Sequence, residues 1–510
     1  MRRVKKPEVV LGLILSVIYV GSSTAQSSPT PTQARLSAEN SELKQNEAAE
    51  AQVALGAKSY LAGDYGTALT WYQKAADQGY AKAQYWLGLL YSEGHGVARD
   101  SAAALSWYRK AADQGLGEAQ YNLGVMYDEG QGIPQDFAAA ATWYRKAAEQ
   151  GIAEAQFNLG ILYYAGQGVP QSYATAVNWF QRAAEQGFAP AQHNLGARYY
   201  DGRGVTQSYT AAIGWFRKAA AQGFAESEYS LGMMYSEGQA VQRNSAIAFS
   251  WYLKSAEQGL AIAQYNLGVM YDEGQGVPPD FAAAASWYQK AAEQGFAAAQ
   301  YNLGVRTYEG KGVRQNYATA VNWFQKAAEQ GFAAAQFNLG AMHYIGQGVP
   351  QDFATAASWY RKAADQGNSE AQYNLGAMYA EGKGVPLNFE TAVFWLRKAA
   401  DNGNADAQYN LGVLFGEGKH VTQDFGAAVS WYRKAAEQGS DRAQNNLGVM
   451  YARGSGVQQN YVLGYKWLSI SAANGNNTAA RVRDIVGRLM SPGQIAEAQK
   501  LAREWRKKKE

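Results

Sequence analysis

Residues Glu118–Gly151 read EAQYNLGVMYDEGQGIPQDFAAAATWYRKAAEQG. Apolar residues at Ala119, Leu123, Met126 and Tyr127 fall at helical spacing. Gly130 and Gly132 stop that helix, since glycine accepts the positive φ of a C-cap or tight turn. Ile133-Pro134 leads out in extended form, and Asp136 is a good N-cap for a second helix. The second helix carries Phe137, Ala140, Ala141, Tyr144, Ala147 and Ala148 on one broad face, and Gly151 ends it. The unit is therefore helix A, a short loop and helix B. Gly124 lies inside helix A, where glycine costs about 1 kcal/mol against alanine. Its place there implies that a side chain would hold the two helices apart. Ala140 and Ala147 do the same on helix B, with Trp143 and Tyr144 filling the gaps beside them.

The unit recurs along the chain. A Leu-Gly doublet ends at Gly56, at Gly88, at Gly124 and then every 36 residues to Gly448. Tryptophan keeps the same period from Trp71 to Trp467, which defines twelve repeats. Longer copies are present as well. Tyr121–Gly132 (YNLGVMYDEGQG) recurs unchanged at Tyr265–Gly276, and Ala174–Gln181 (ATAVNWFQ) at Ala318–Gln325. A block of four repeats has been duplicated, which a scaffold tolerates and a site of unique residues does not. In the first repeat Leu61–Tyr65 replaces the longer loop, and two later repeats carry Ala240 and His420 in place of the second loop glycine.

The pattern A-x-x-x-L-G-x-x-Y-x-x-G-x-G-V followed by A-x-x-W-Y-x-K-A-A-x-x-G resembles the Sel1-like repeat family, relatives of the tetratricopeptide repeats. The likeness covers about residues 50–475. It implies an all-α fold, a right-handed α-solenoid superhelix of about twelve 36-residue helix-turn-helix repeats. The expected layout is a solenoid over residues 37–475 and a C-terminal helical cap with a basic tail over 476–510. In the cap, Asn477–Met490 reads as one amphipathic helix. Ser491-Pro492 then gives an N-cap and a first-turn proline for a last helix with Ile495, Ala498, Leu501 and Trp505 on one side. A solenoid needs such a lid because its last repeat exposes apolar surface.

The N-terminus reads as a cleavable secretory signal over residues 1–25. Arg2, Arg3, Lys5 and Lys6 precede a short apolar run from Val9 to Val20, and Ser23-Thr24-Ala25 fits a cut after Ala25. The run is shorter than the ~20 residues of a membrane span, so a membrane is involved only if this segment is retained. Residues 26–36 (QSSPTPTQARL) read as a flexible linker. The expected location is the periplasm or the exterior. The formal net charge of +3 falls to zero on cleavage, which gives no electrostatic reason to bind nucleic acid.

Chemistry-bearing patterns are sparse. The chain has no cysteine, and its histidines, His95, His193, His343 and His420, are widely separated with no zinc-protease spacing. No metal or other cofactor is expected. The Gly-x-Gly pairs follow a helix C-terminus, whose negative end repels phosphate. Ser41-Glu42-Leu43-Lys44 has the Ser-x-x-Lys spacing of penicillin-binding enzymes without their companion motifs. The expectation is a non-catalytic scaffold or adaptor with a protein or peptide partner. The alternative is a cell-envelope enzyme or binder acting on peptidoglycan or β-lactams.

The informative row precedes Leu-Gly: Asn122, Asn158, Asn194, Asn266, Asn302, Asn338, Asn374, Asn410 and Asn446. The resemblance implies that helix A lines a concave face and that this position points into it. A side-chain amide offers a donor and an acceptor to one peptide unit of an extended guest. Equally, it can bond the neighbouring repeat's backbone as part of the folding code. Tyr121, Phe157, Tyr265, Tyr301, Phe337, Tyr373 and Tyr409 stand just before the asparagines. They are either flanking contacts for a guest or core between repeats.

Overall fold

The computed structural model describes residues 31–507. Among them the chain forms 26 helices and no strand. The described residues divide into two compact units, up to Gln258 and from Gly259. Each is a run of antiparallel helical hairpins, so the tandem-hairpin α-solenoid expected from the repeat is the fold found. Among the described residues no helix is long and apolar enough to cross a membrane. The basic and apolar segment over residues 1–25 lies outside the described residues. The linker expected over 26–36 is described only from Pro31, and there the chain is already helical, in Pro31–Leu61. Proline suits the first helical position, and the Ala, Glu, Gln and Leu that follow are strong helix formers.

The hairpin Gly117–Glu129 and Phe137–Glu149 shows how each repeat is built. Gly130 caps helix A in the left-handed region with φ 70°. Asp136 caps helix B by accepting from the N–H groups of Ala138 at 2.9 Å and Ala139 at 3.0 Å. A Cβ placed on Gly124 would lie 2.6 Å from Cδ1 of Tyr144, so the glycine is what lets the Tyr144 ring lie on helix A. Tyr144 rather than Trp143 fills that gap. Trp143 is half-buried and packs on the preceding repeat's core around Tyr108. The core thus lies between hairpins: Tyr121 and Val125 of one helix A, Ala140, Tyr144 and Ala147 of helix B, and Leu159 and Leu162 of the next helix A form one cluster.

A polar ladder accompanies the apolar one. Gln120 is buried and donates from Nε2 to the Ala112 carbonyl at 3.1 Å. Its Oε1 accepts from Nε2 of Gln150 at 2.8 Å, and Gln150 also donates to the Gly115 carbonyl at 2.9 Å. The same Gln–Gln bond measures 2.8 Å at Gln186–Gln156, Gln294–Gln264 and Gln330–Gln300. Each buried amide is therefore satisfied across a repeat junction, which ties the stacking register to bonds that water cannot replace inside.

At the C-terminal end of the second unit two further helices follow the last repeat. Ser491 and Gln494 bond reciprocally through N···Oε1 at 2.9 Å and N···Oγ at 3.3 Å, a capping box ahead of Pro492–Lys507. The helix before it is shorter than expected, Asn477–Gly487, because Gly487 is followed by a turn. Trp505 meets Trp467 edge-on at 5.7 Å, and Ala502 is buried against the same cluster. In the first unit the short connection after Leu61 works as the sequence implies. Gly63 has φ 77°, and Asp64 accepts from the Thr67 N–H at 3.1 Å.

Candidate functional site: the asparagine face of the A helices

Each asparagine of the row lies two residues beyond the buried Gln of its helix, as Asn122 follows Gln120. In the first unit Asn122, Asn158 and Asn194 are buried, as are Tyr121 and Phe157. In the second unit Asn266, Asn302, Asn338, Asn374, Asn410 and Asn446 are half-buried. So are Tyr265, Tyr301, Phe337, Tyr373 and Tyr409.

The groups nearest these amides are tyrosine hydroxyls of the preceding repeat. Asn410 donates from Nδ2 to the Tyr373 hydroxyl at 3.4 Å. Asn302 faces both Tyr265 and Tyr288. Burial pushes the Tyr360 phenol up to about 12, against the opposing pull of the Asn374 amide. Burial does the same to Tyr432, up to about 12, again opposed by an amide, Asn446. An amide N–H directed at a phenol oxygen favours the phenolate, which gives the sign of that pull. Where the preceding repeat offers Phe157 and Phe180 in place of tyrosines, Asn194 turns back and donates to the Pro190 carbonyl at 2.9 Å. The aromatics of the row also pack into the core: Tyr265 meets Tyr288 at 5.9 Å and Phe296 at 5.2 Å within its repeat, and lies against a cluster that includes Ala299 and Leu303 of the next.

The opposite face, on the B helices, presents a different repeat of chemistry. Lys146 sits 4.0 Å over the Trp143 ring, Lys218 3.8 Å over Trp215 and Lys290 3.8 Å over Trp287. The neighbouring arginines reach forward to the next repeat, as Arg145 does to the Tyr163 hydroxyl at 2.8 Å and Arg217 to that of Tyr235 at 2.9 Å. These cations are held by the protein's own rings and hydroxyls. The histidines do not converge. His95 stacks on Tyr65 at 4.3 Å and His420 on Phe389 at 3.5 Å, while His193 lies 3.0 Å from the Ser227 hydroxyl. Among the described residues no three His, Asp or Glu side chains are grouped to hold a metal ion.

Paired helices in tandem, stacked on alanine, glycine and tyrosine and joined by a glutamine ladder, define a helical-repeat scaffold protein. The model described as Sel1 repeat matches twelve consecutive segments, residues 49–80, 81–116, 117–152, 153–188, 189–224, 225–260, 261–296, 297–332, 333–368, 369–404, 405–440 and 441–476. The chain belongs to the Sel1 repeat family.

Among solved structures, it is similar to c5321, a protective antigen present in uropathogenic Escherichia coli strains. The two are 40% identical with a TM-score of 0.74, over 86% of this chain and 94% of that one. A Sel1 repeat protein from Oxalobacter formigenes is 33% identical with a TM-score of 0.51, over 64% of this chain and 93% of that one. The DAP3-binding cell death enhancer 1 of Rattus norvegicus matches over 46 residues at 50% identity. That segment is 9% of this chain and 9% of the rat protein. Sel1 repeat proteins are generally non-catalytic scaffolds, and this fold fits a role in protein–protein interaction.

Proposed function

We propose that this protein is a non-catalytic adaptor of the periplasm or the cell exterior that holds a polypeptide partner along the A helices. The observation that carries the reading is the half-buried asparagine row of the second unit, backed by half-buried tyrosines. Asn410 makes one long bond, to Tyr373, and keeps its carbonyl oxygen for a guest N–H. A guest that meets only amides and phenol rings is recognised by its backbone more than by its sequence. The secretory character of residues 1–25 supports a location outside the cytoplasm. So does the likeness to a protein described as a protective antigen.

A photo-crosslinking residue placed at Asn302 or Asn410 tests the binding face in cells. Adducts to a common polypeptide are expected from these positions and not from Lys290 on the outer B helix. The same adducts from Lys290 would remove the reason to assign the A helices. Mass analysis of the secreted protein should find Gln26 as its first residue; a retained Met1 would overturn the location.

A further inference from the structure

Two repeats carry an arginine where all the others but the first place methionine or leucine, as at the buried Met126, Leu162, Met234 and Met270. The motifs match: Arg198-Tyr-Tyr-Asp201-Gly-Arg203-Gly and Arg306-Thr-Tyr-Glu309-Gly-Lys311-Gly. What surrounds them differs. Arg306 donates from Nε at 3.1 Å and from Nη2 at 2.7 Å to Oδ2 of Asp272, which comes from the preceding repeat. It also reaches Glu309 at 3.5 Å, and Lys311 pairs with Glu309 at 2.9 Å. Two cations there face two carboxylates.

In the first unit the residue at the place of Asp272 is Tyr164, followed by Ala165 in place of Glu273. The Arg198 guanidinium lies 4.4 Å over the Tyr164 ring. Its side chain is 8% exposed, and neither Nε nor Nη1 donates a hydrogen bond, although Nη1 is 3.1 Å from Oδ2 of Asp201. Arg203 shares that aspartate. Its backbone N–H donates to Oδ1 at 3.0 Å, its Nε lies 3.9 Å from Oδ2, and its Nη1 donates to the Tyr164 hydroxyl at 3.0 Å. The nearby Glu237 accepts from the Tyr200 hydroxyl at 3.5 Å. Two cations thus share one carboxylate, and stacking on Tyr164 uses the face of the guanidinium while leaving its buried Nε and Nη1 without a hydrogen-bond acceptor.

We propose that Arg198 and Arg203 form a receptor for one carboxylate supplied from outside the chain, in the place that Asp272 fills beside Arg306. A carboxylate is the matching ligand because the same arginine, in the same motif of the same chain, is completed by one. The way in is the solvent edge, where the Arg203 side chain is 58% exposed and that of Asp201 is 30% exposed. The source is an acidic side chain or the free C-terminus of a bound polypeptide. This site stands apart from the asparagine row and does not depend on it.

The test uses the full-length protein with 15N-labelled arginine, titrated at constant ionic strength with acetate against chloride. The Nε–Hε signal lost in Arg198→Met, a substitution that restores the residue of Met126 and Met234, should shift saturably with acetate. Tyr164→Asp supplies the missing oxygen from within and should abolish the titration. Asp272→Asn should create a second titrating signal, from Arg306. Among peptides, acetyl-Ala-Ala-Ala with a free carboxylate and acetyl-Ala-Glu-Ala-amide separate the two sources. Saturation by either supports the site and names the source. The affinity of the binding peptide should fall about tenfold in Arg198→Met. A linear, unsaturable shift, or a titration that persists in Tyr164→Asp, overturns the proposal.

Discussion

At Gly124 one missing methyl group decides how two helices meet. A Cβ there would stand 2.6 Å from the Tyr144 ring, and Tyr144 is 1% exposed with core on every side. Gly124→Ala improves helix propensity, yet overpacking outweighs it; a net loss of about 1–3 kcal/mol in urea denaturation is expected. This role was legible in the sequence, because a glycine inside a helix needs a packing reason. The glutamine ladder was not. Gln120 and Gln150 recur with the same period as every other position, so periodicity alone does not separate a buried polar residue from a solvated one.

The sixth repeat breaks the ladder in a way that makes pH a probe. Glu228 stands where the other A helices carry Gln, and it accepts from Gln258 Nε2 at 2.6 Å. A carboxylate cannot donate to the Ala220 carbonyl as Gln120 does to that of Ala112. Burial raises the Glu228 pKa against the pull of Gln258 and Lys254. An acid raised on folding is penalised once it ionises, so stability is lost as pH rises from the unfolded carboxylate value through the folded one. Glu228→Gln should flatten that slope and add about 0.5–1.5 kcal/mol at pH 7.

His193 works in the opposite sense. Burial, helped by the charge of Arg198, lowers its pKa to about 4. Stability is then complete above about pH 6.5, the unfolded value, and declines as pH falls from there toward the folded one. His193→Phe, the residue found at Phe157 and Phe337, should remove the decline in urea midpoints measured from pH 7 to 4.

At the scale of the loop, the second glycine is required by a close approach as well as by φ. A Cβ on Gly168 would come 2.2 Å from the Phe137 carbonyl carbon, and on Gly312 2.0 Å from the Phe281 oxygen. Ala240 and His420 occupy this position with φ of 57° and 62°. The sequence flagged both as departures; the structure shows how differently they are accommodated. His420 stacks on Phe389 at 3.5 Å with rings 8° apart, so the side chain has a contact to offset the strain. Ala240 has only a methyl group to offer. Ala240→Gly should therefore raise stability by about 0.5–1 kcal/mol, while His420→Gly should show no gain. Equal gains at both sites, read from denaturation midpoints, would deny the ring stack its role.

At the scale of the whole molecule, the hairpin period was fully written in the sequence, whereas which polar rows are spent on the fold emerged only from the packing. The asparagine row shows why. Its amides meet tyrosine hydroxyls 37 residues earlier, as Asn410 meets Tyr373, and the same position is the one proposed to face a guest. The two roles are separable by measurement. In the variant Asn266→Ala, Asn302→Ala, Asn338→Ala, each site gains up to about 0.7 kcal/mol of helix propensity. Asn302 also gives up its partly exposed contact with Tyr265 and Tyr288, about 0.5–1.5 kcal/mol. The terms nearly cancel, so the melting temperature should change little while partner affinity falls at least tenfold. A large loss of stability would leave the row as folding code alone.

The constant offsets between partners make a stronger prediction. Contacts recur at fixed separations: 30 residues for Gln150 and Gln120 within a repeat, and 18 for Arg145 and Tyr163 between repeats. Deleting residues 124–159 joins Leu123 to Gly160 and rebuilds each of them. Gln120 then accepts from Gln186, Arg109 meets Tyr163, and Gly160 keeps its own ring, Phe180, at the 2.7 Å approach that requires glycine. Stability in such a chain is a sum of repeats and their interfaces, so losing one of each lowers it modestly and leaves a monomer. Deleting residues 477–510 removes the same number of residues to within two, but rebuilds nothing. Trp467, Leu468 and Ile470, at most 5% exposed beneath the lid, are uncovered. That variant should self-associate in sedimentation velocity at concentrations where the internal deletion stays monomeric. If the two behave alike, the last two helices are an appendage rather than a lid.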